Sequence, residues 1–163
     1  MNTSLEDGGA TQAGDGHIFC TVQESQARLK RVHNPGGNDT GIGEFFIALD
    51  IIALQETVYV PISIASGKKP TGFVYQIEGT GEGSISTTDI SCRGDGVSDI
   101  TLGTLLYAKI PQGKTATFRI SIQMKGNPSR EYRILINRIS YKLNPSDARY
   151  KKLDTALATK VLK

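Results

Sequence analysis

From Glu44 onward the chain alternates. Phe45, Ile47, Leu49 and Ile51 fall on one face of an extended backbone, and Phe46, Ala48, Asp50 and Ile52 fall on the other. This period of two marks a strand buried on one side and partly covered on the second. Residues 57–64 repeat it with Val58, Val60, Ile62 and Ile64 on one face. Pro61 has no N–H to donate to a ladder, so it predicts an edge position or a strand that passes between sheets. Phe73, Tyr75 and Ile77 supply another inward face, followed by a glycine-studded turn over 79–83, and shorter strands are predicted over 84–92 and 102–110. The clearest alternation is 115–124, where Phe118, Ile120, Ile122 and Met124 oppose Thr117, Arg119, Ser121 and Gln123, the pattern of a half-solvated antiparallel strand. Beyond the turn at Gly126-Asn127-Pro128, Tyr132, Ile134 and Ile136 share a face, and then the parity moves to Ile139, Tyr141 and Leu143. One extra residue exchanges the two faces of a strand, so a β-bulge is predicted near Asn137-Arg138.

With a further strand at 27–32, these segments make roughly seven to eight strands at the spacing of a Greek-key sandwich. No strand–helix alternation accompanies them. The predicted fold class is all-β, an antiparallel immunoglobulin-like β-sandwich over 18–143, with a short C-terminal helix over 144–163. Asn144 suits a helix cap, Pro145 the first helical position and Asp147 the positive N-terminal end. Tyr150, Leu153, Leu157 and Val161 then recur at helical spacing. That stripe packs either on its own sandwich or on a neighbouring domain or subunit. Residues 1–17 are polar and glycine-rich without periodicity, which predicts a flexible leader or linker.

A chain of 163 residues suffices for one domain that buries about 70% of its unfolded surface. Its longest apolar runs fall far short of the roughly 20 residues of a membrane helix, so no membrane span is expected. The formal net charge of +3 is spread along the strands instead of bunched into a basic block. The opening carries Glu6, Asp7 and Asp15 without Lys or Arg, and the chain has no Trp. Nucleic acid is therefore not a favoured partner.

Candidate chemistry is sparse. His17 and His33 are the only histidines, and surface positions account for both. There is no nucleophile elbow, no His-x-x-x-His pair and no phosphate-binding loop. Asp50 and Glu56 are the carboxylates a glycosidase would need, but one falls in a strand and the other in a turn. No enzyme activity, cofactor or metal is expected. Cys20 and Cys92 are too far apart for a local metal knuckle. They form either a disulfide, closing a loop of about 70 residues worth on the order of 4 kcal/mol, or two independent buried thiols. Arg93-Gly94-Asp95 matches the tripeptide of integrin ligands and is equally an ordinary turn. Asp95 and Asp99 offer two carboxylates to calcium, which takes about six to eight oxygens, and Asx turns explain them as well. Ile18, Cys20 and Val22 alternate within 18–32, so this segment either completes a sheet edge of a second copy or folds back on its own domain.

The run Phe45 to Pro61, FFIALDIIALQETVYVP, is followed by Ile64-Ala65, a glycine-containing loop and a strand holding Tyr75. The closing segments are FRISI, from Phe118, and YRILINRISY, from Tyr132. Over about residues 40–143 this resembles an immunoglobulin-like domain of exported surface proteins of candidate-phyla-radiation bacteria. The resemblance implies a surface module, commonly appended to peptidoglycan-binding or repeat regions, and carries no catalytic residues. The terminal helix and the lack of such regions depart from it. The opening lacks the basic start and apolar run of a secretory signal, which leaves an intracellular protein or part of a longer exported chain. The linker-like start, the Ser/Thr-rich strands, the resemblance and a Cys20–Cys92 bridge favour export to the cell surface or beyond.

The expected role is a non-catalytic structural or adhesive module of a cell-surface or extracellular assembly, with a protein partner or self-association. The interaction residues would be Ile18, Val22, Tyr150, Leu153, Leu157 and Val161. Alternatives are a subunit of an extracellular fibre or viral shell, and a carbohydrate-binding module or carbohydrate-active enzyme. Sandwich folds serve all of these. A glycan module exposes a row of aromatic side chains on one sheet face, and the lack of Trp weighs against that alternative.

Overall fold

The computed structural model of the chain describes residues 10–32, 35–37, 40–66, 72–79, 83–126 and 131–159. Among them the regular structure is all strand. The strands are β1 (Gln12–Gly14), β2 (Ile18–Val32), β3 (Thr40–Ala53), β4 (Val58–Pro61), β5 (Ile64–Ser66), β6 (Phe73–Gly79), β7 (Gly83–Arg93), β8 (Ser98–Leu102), β9 (Leu105–Ile110), β10 (Thr115–Gly126), β11 (Tyr132–Tyr141) and β12 (Lys151–Ala158).

One layer is a five-stranded sheet in the order β1-β2-β3-β10-β7. Facing it are a four-stranded ladder, β12-β11-β6-β5, and a three-stranded one, β4-β9-β8. Tyr59 and Lys142 exchange backbone hydrogen bonds of 2.8 Å each way, which ties β4 to the end of β11. Pairing is antiparallel throughout the named ladders except between β5 and β6. The inner faces meet in one apolar core that includes Ile47, Leu49, Ile51, Phe118, Ile120, Phe73, Ile134 and Ile136. Phe73 and Phe118 cross it with ring centroids 4.9 Å apart and planes tilted by 54°, a favourable aromatic arrangement.

Several sequence expectations have direct structural counterparts. The register of β11 shifts between Ile136 and Arg138 against both of its neighbours, which is the bulge that the change of parity requires. Pro61 ends β4 opposite Tyr107, after which the chain joins the other ladder as β5, so the proline marks a passage between ladders. Residues 18–32 fold back on their own domain as one long strand, paired with β3 from Ile18–Ala53 to Val32–Thr40. A bulge between Val22 and Glu24 moves the inward set from Ile18, Cys20 and Val22 to Ser25, Ala27 and Leu29. That slip splits one strand into two apparent sequence segments.

The predicted C-terminal helix is absent, and its residues form β12. Leu153 and Leu157 lie four apart, an even spacing that puts them on one face of a strand as well as of a helix. Both are buried, and they pair with Ile139 and Ile136 of β11. Between them, the Thr155 hydroxyl donates to the Ile136 carbonyl at 2.5 Å. The ladder along β11 thus overrides the helix propensity of Lys, Leu and Ala. Asn144 and Asp147 act as capping residues, but around a turn: Asn144 Oδ1 accepts from the Ser146 N–H at 3.1 Å, and Asp147 Oδ2 from the Asn144 N–H at 3.2 Å. Val161 lies outside the described residues.

The predicted leader is also shorter than 1–17. Residues 1–9 lie outside the described residues, but Ala10 bridges Leu157 of β12 in parallel and donates its N–H to the Ala156 carbonyl at 3.1 Å. The chain then crosses to the other layer, where Gln12–Gly14 pairs with β2. Asp15 makes this possible despite the glycine-rich composition. Its Oδ1 accepts the N–H groups of His17, at 2.7 Å, and Ile18, at 2.9 Å, closing an Asx turn.

Candidate functional site

The perturbed carboxyl and phenol groups hold segments of the fold together. Tyr141, on β11, donates its hydroxyl to Asp15 Oδ2 at 2.5 Å. Burial alone would raise the Asp15 pKa, but the Tyr141 hydroxyl, the Ile18 and His17 N–H groups and the charge of His17 outweigh it and lower the value. The Tyr141 phenol is pushed up by burial, by its hydrogen bond to Asp15 and by the carboxylate charge. His17 packs beside this pair, its ring 6.3 Å from Tyr141 and its Nδ1 4.0 Å from Glu56. The other carboxylate considered for acid–base chemistry, Asp50, accepts from the Thr117 hydroxyl at 2.5 Å. The two acids therefore serve different neighbours. His33 lies outside the described residues.

Cys20 and Cys92 are both free. They sit on β2 and β7, with β3 and β10 between them. Three inter-strand steps amount to about 14 Å, whereas a disulfide brings Cα atoms within about 7 Å, so the bridge considered from the sequence is excluded within one chain. Each thiol is pushed up to about 12, Cys20 by burial and the charge of Asp50, Cys92 by burial and the charge of Asp99. Neither is a ready nucleophile.

The residues proposed for association are mostly core. Ile18 and Leu157 are fully buried, Leu153 is nearly so, and Val22 packs against the same cluster. Tyr150 precedes β12 and shares a hydrogen bond between hydroxyls with Tyr107 of β9. Burial and this contact raise the Tyr107 pKa, and the Lys142 ammonium lies 4.8 Å from the Tyr150 ring centroid.

Two surface features remain. At one end, an open depression of about 840 Å³ is lined by Arg93, Asp95, Asp99, Lys114, Thr115 and Thr117 among others. Its shape depends on Gly94, where a Cβ would stand 2.4 Å from the Thr115 carbonyl oxygen, and on Gly96, whose φ is +77°. Arg93 ends β7, and Gly94-Asp95-Gly96-Val97 forms a tight turn in which the Val97 N–H donates to the Gly94 carbonyl at 3.2 Å. The two aspartates are accompanied by two cations, and among the described residues no group of three or more His, Cys, Asp or Glu side chains is placed to hold a metal ion.

The second feature is a groove of about 370 Å³ on the outer face of the five-stranded sheet. Cross-strand partners build it in two rows, Gln26–Phe46–Ser121 and Arg28–Glu44–Gln123, on β2, β3 and β10. Arg28 donates from Nη2, at 2.6 Å, and from Nε, at 3.1 Å, to Glu44 Oε2. Gln123 Oε1 accepts from the Thr87 hydroxyl at 3.2 Å. The Arg119 guanidinium stands 5.9 Å from the centroid of Phe46. None of these six positions was singled out as a site by the sequence, because their meeting depends on the register of three strands.

The fold defines the class: an all-β, sandwich-like protein with two facing layers of largely antiparallel strands. No family model matches the chain, and no curated protein matches it. Among the described residues, no helix is long and apolar enough to cross a membrane.

Proposed function

We propose that the chain is an immunoglobulin-like, non-catalytic module of a cell-surface or extracellular assembly, structural or adhesive in role. The observation that carries this reading is the crossing of the chain between layers from Ala10 to Gln12. Ala10 pairs in parallel with Leu157, next to the end of the last strand, while Gln12–Gly14 completes the opposite sheet. Because Ala10 runs parallel to Leu157 and the chain then pairs with β2, a force that slides this segment along its neighbours loads its hydrogen bonds to both layers in shear. Such a geometry suits a part that keeps its shape under load. The perturbed acid and phenols support the same reading, since each is used to join strands. Export rests on the Ser/Thr-rich strands and the family resemblance, and the Cys20–Cys92 bridge no longer contributes. Antibody labelling of intact native cells tests the proposal: labelling without permeabilisation is expected, and labelling only after permeabilisation overturns it.

A second reading, a subunit of a fibre or shell, is favoured by the outer edge of β7. Among the described residues this 11-residue strand pairs only with β10, and an unpaired edge is a template for another strand. Analytical ultracentrifugation tests this second reading, because a fibre or shell subunit must assemble into large oligomers, and a chain that stays monomeric at every concentration overturns it.

A further inference from the structure

The groove on the outer face of the five-stranded sheet is built like a ligand site: its polar side chains are partly engaged with one another and the Arg119 guanidinium stands 5.9 Å from the Phe46 centroid, yet further polar atoms are left over. Among the described residues, Arg28 Nη1, Glu44 Oε1, Gln123 Nε2, Gln26 Oε1 and the Ser121 hydroxyl have no protein partner. They surround a half-buried phenyl ring, that of Phe46. We propose that this groove binds one or two pyranose rings of a neutral glycan.

Four properties point to that ligand. First, the only charges lining the groove, Arg28 and Glu44, are paired with each other, so the groove has no net charge to favour an anion or a cation. Second, the unengaged groups are a mixture of donors and acceptors at the margin of an apolar ring. A pyranose has the complementary layout, with hydroxyls that donate and accept around its rim and C–H groups on its faces that lie against an aromatic surface. Third, about 370 Å³ falls near the lower end of the roughly 300–1,000 Å³ typical of small-ligand pockets, which suits a short stretch of a glycan. Fourth, the polar side chains are held in advance, Glu44 by Arg28 and Gln123 by Thr87, so binding has little ordering cost to overcome. A peptide strand fits less well, because β3 and β10 are paired on both sides and offer no free backbone edge. The sequence expectation of a row of aromatic side chains on one face is not met here, and the single ring of Phe46 limits the site to a short stretch of glycan.

This inference deepens the adhesive reading and rests on it only for where the glycan is met. Surface labelling and glycan binding fail independently of each other. The test is an amide NMR titration of the full chain with maltotetraose, cellotetraose and tetra-N-acetylchitotetraose, alongside an oligogalacturonate and a Ser/Thr-rich octapeptide. At least one neutral sugar is expected to shift the amides of Gln26, Phe46, Ser121 and Gln123 at millimolar concentration. Phe46→Leu, which keeps an apolar side chain but removes the flat ring, and Gln123→Ala should each weaken that binding about tenfold or more, the factor for one good contact. If Phe46→Leu disturbs the amide spectrum as a whole, Gln26→Ala at an exposed position takes its place. The proposal is overturned if none of the three neutral sugars moves these amides, if the peptide or the acidic sugar moves them as strongly, or if binding survives both substitutions.

Discussion

The Tyr141 hydroxyl reaches Asp15 across 126 positions of sequence and joins the turn after β1 to the end of β11. Its strength depends on pH in a definite direction. Asp15 has a lowered pKa in the folded chain, so its contribution to stability is present above its ordinary value of 3.8 and is lost as pH falls below it toward the lowered one. Tyr141 has a raised pKa, so its share is complete below its ordinary value of 10.0 and is lost as pH rises beyond it. Urea midpoints of the parent are expected to fall at both extremes. Tyr141→Phe should cost about 1–2 kcal/mol at neutral pH and flatten both limbs. An unchanged pH profile in that variant would show that the pair contributes nothing to stability.

The strand order makes a strict statement about the thiols. Protein prepared under oxidising conditions should retain two alkylatable cysteines by mass spectrometry. Native alkylation should be slow at neutral pH and accelerate as pH approaches about 12, where both thiols ionise. Cys20, which is the more deeply buried, should react after Cys92. Detection of an intramolecular Cys20–Cys92 disulfide would refute the five-stranded order.

Leu157 sits in the core opposite Ile136, so Leu157→Ala is expected to destabilise the fold by about 2–5 kcal/mol. Deleting 145–163 should unfold the domain instead of releasing an appendage, because it uncovers one side of β11. Far-UV circular dichroism of the parent should show strand without helix. An intact, monomeric truncation product would contradict the placement of β12.

Asp89 is the one charged side chain in residues 83–92 and stands exposed on the open edge strand β7. Charge on such an edge opposes strand addition by a second molecule. Asp89→Val is expected to promote concentration-dependent association, measured by light scattering, with the secondary structure retained. A variant as dispersed as the parent at every concentration would rule this edge out as an assembly surface.

Much of the architecture was legible in the sequence because a buried face repeats every second residue. The parity change at Asn137-Arg138 located a bulge, and Pro61 marked either an edge or a passage between sheets, of which the structure has the passage. The misread segments share one cause, an ambiguity in periodicity. Leu153 and Leu157 fit both a strand and a helix, and the bulge after Val22 reversed the parity of β2 and hid its length. Residues 10–17 looked like linker because their order comes from a single carboxylate, Asp15, and from partners far away in sequence. The groove was illegible for a different reason. Phe46 reads as an ordinary outward strand position until Gln26 and Ser121 are known to stand beside it, and cross-strand register is not written in any one strand.

The first strand also sets a schedule. The β2–β3 ladder joins neighbouring segments and can form as soon as both exist. Ala10, however, has its partner in β12, and Asp15 has its phenol in β11. During synthesis from the N-terminus, Ala10 and Asp15 must therefore wait for partners that are made last. Contacts of such long range form slowly, and an unfinished edge invites pairing with other chains. The Ala10–Leu157 contact is thus expected to close late, and until it does β12 leaves that side open to wrong partners.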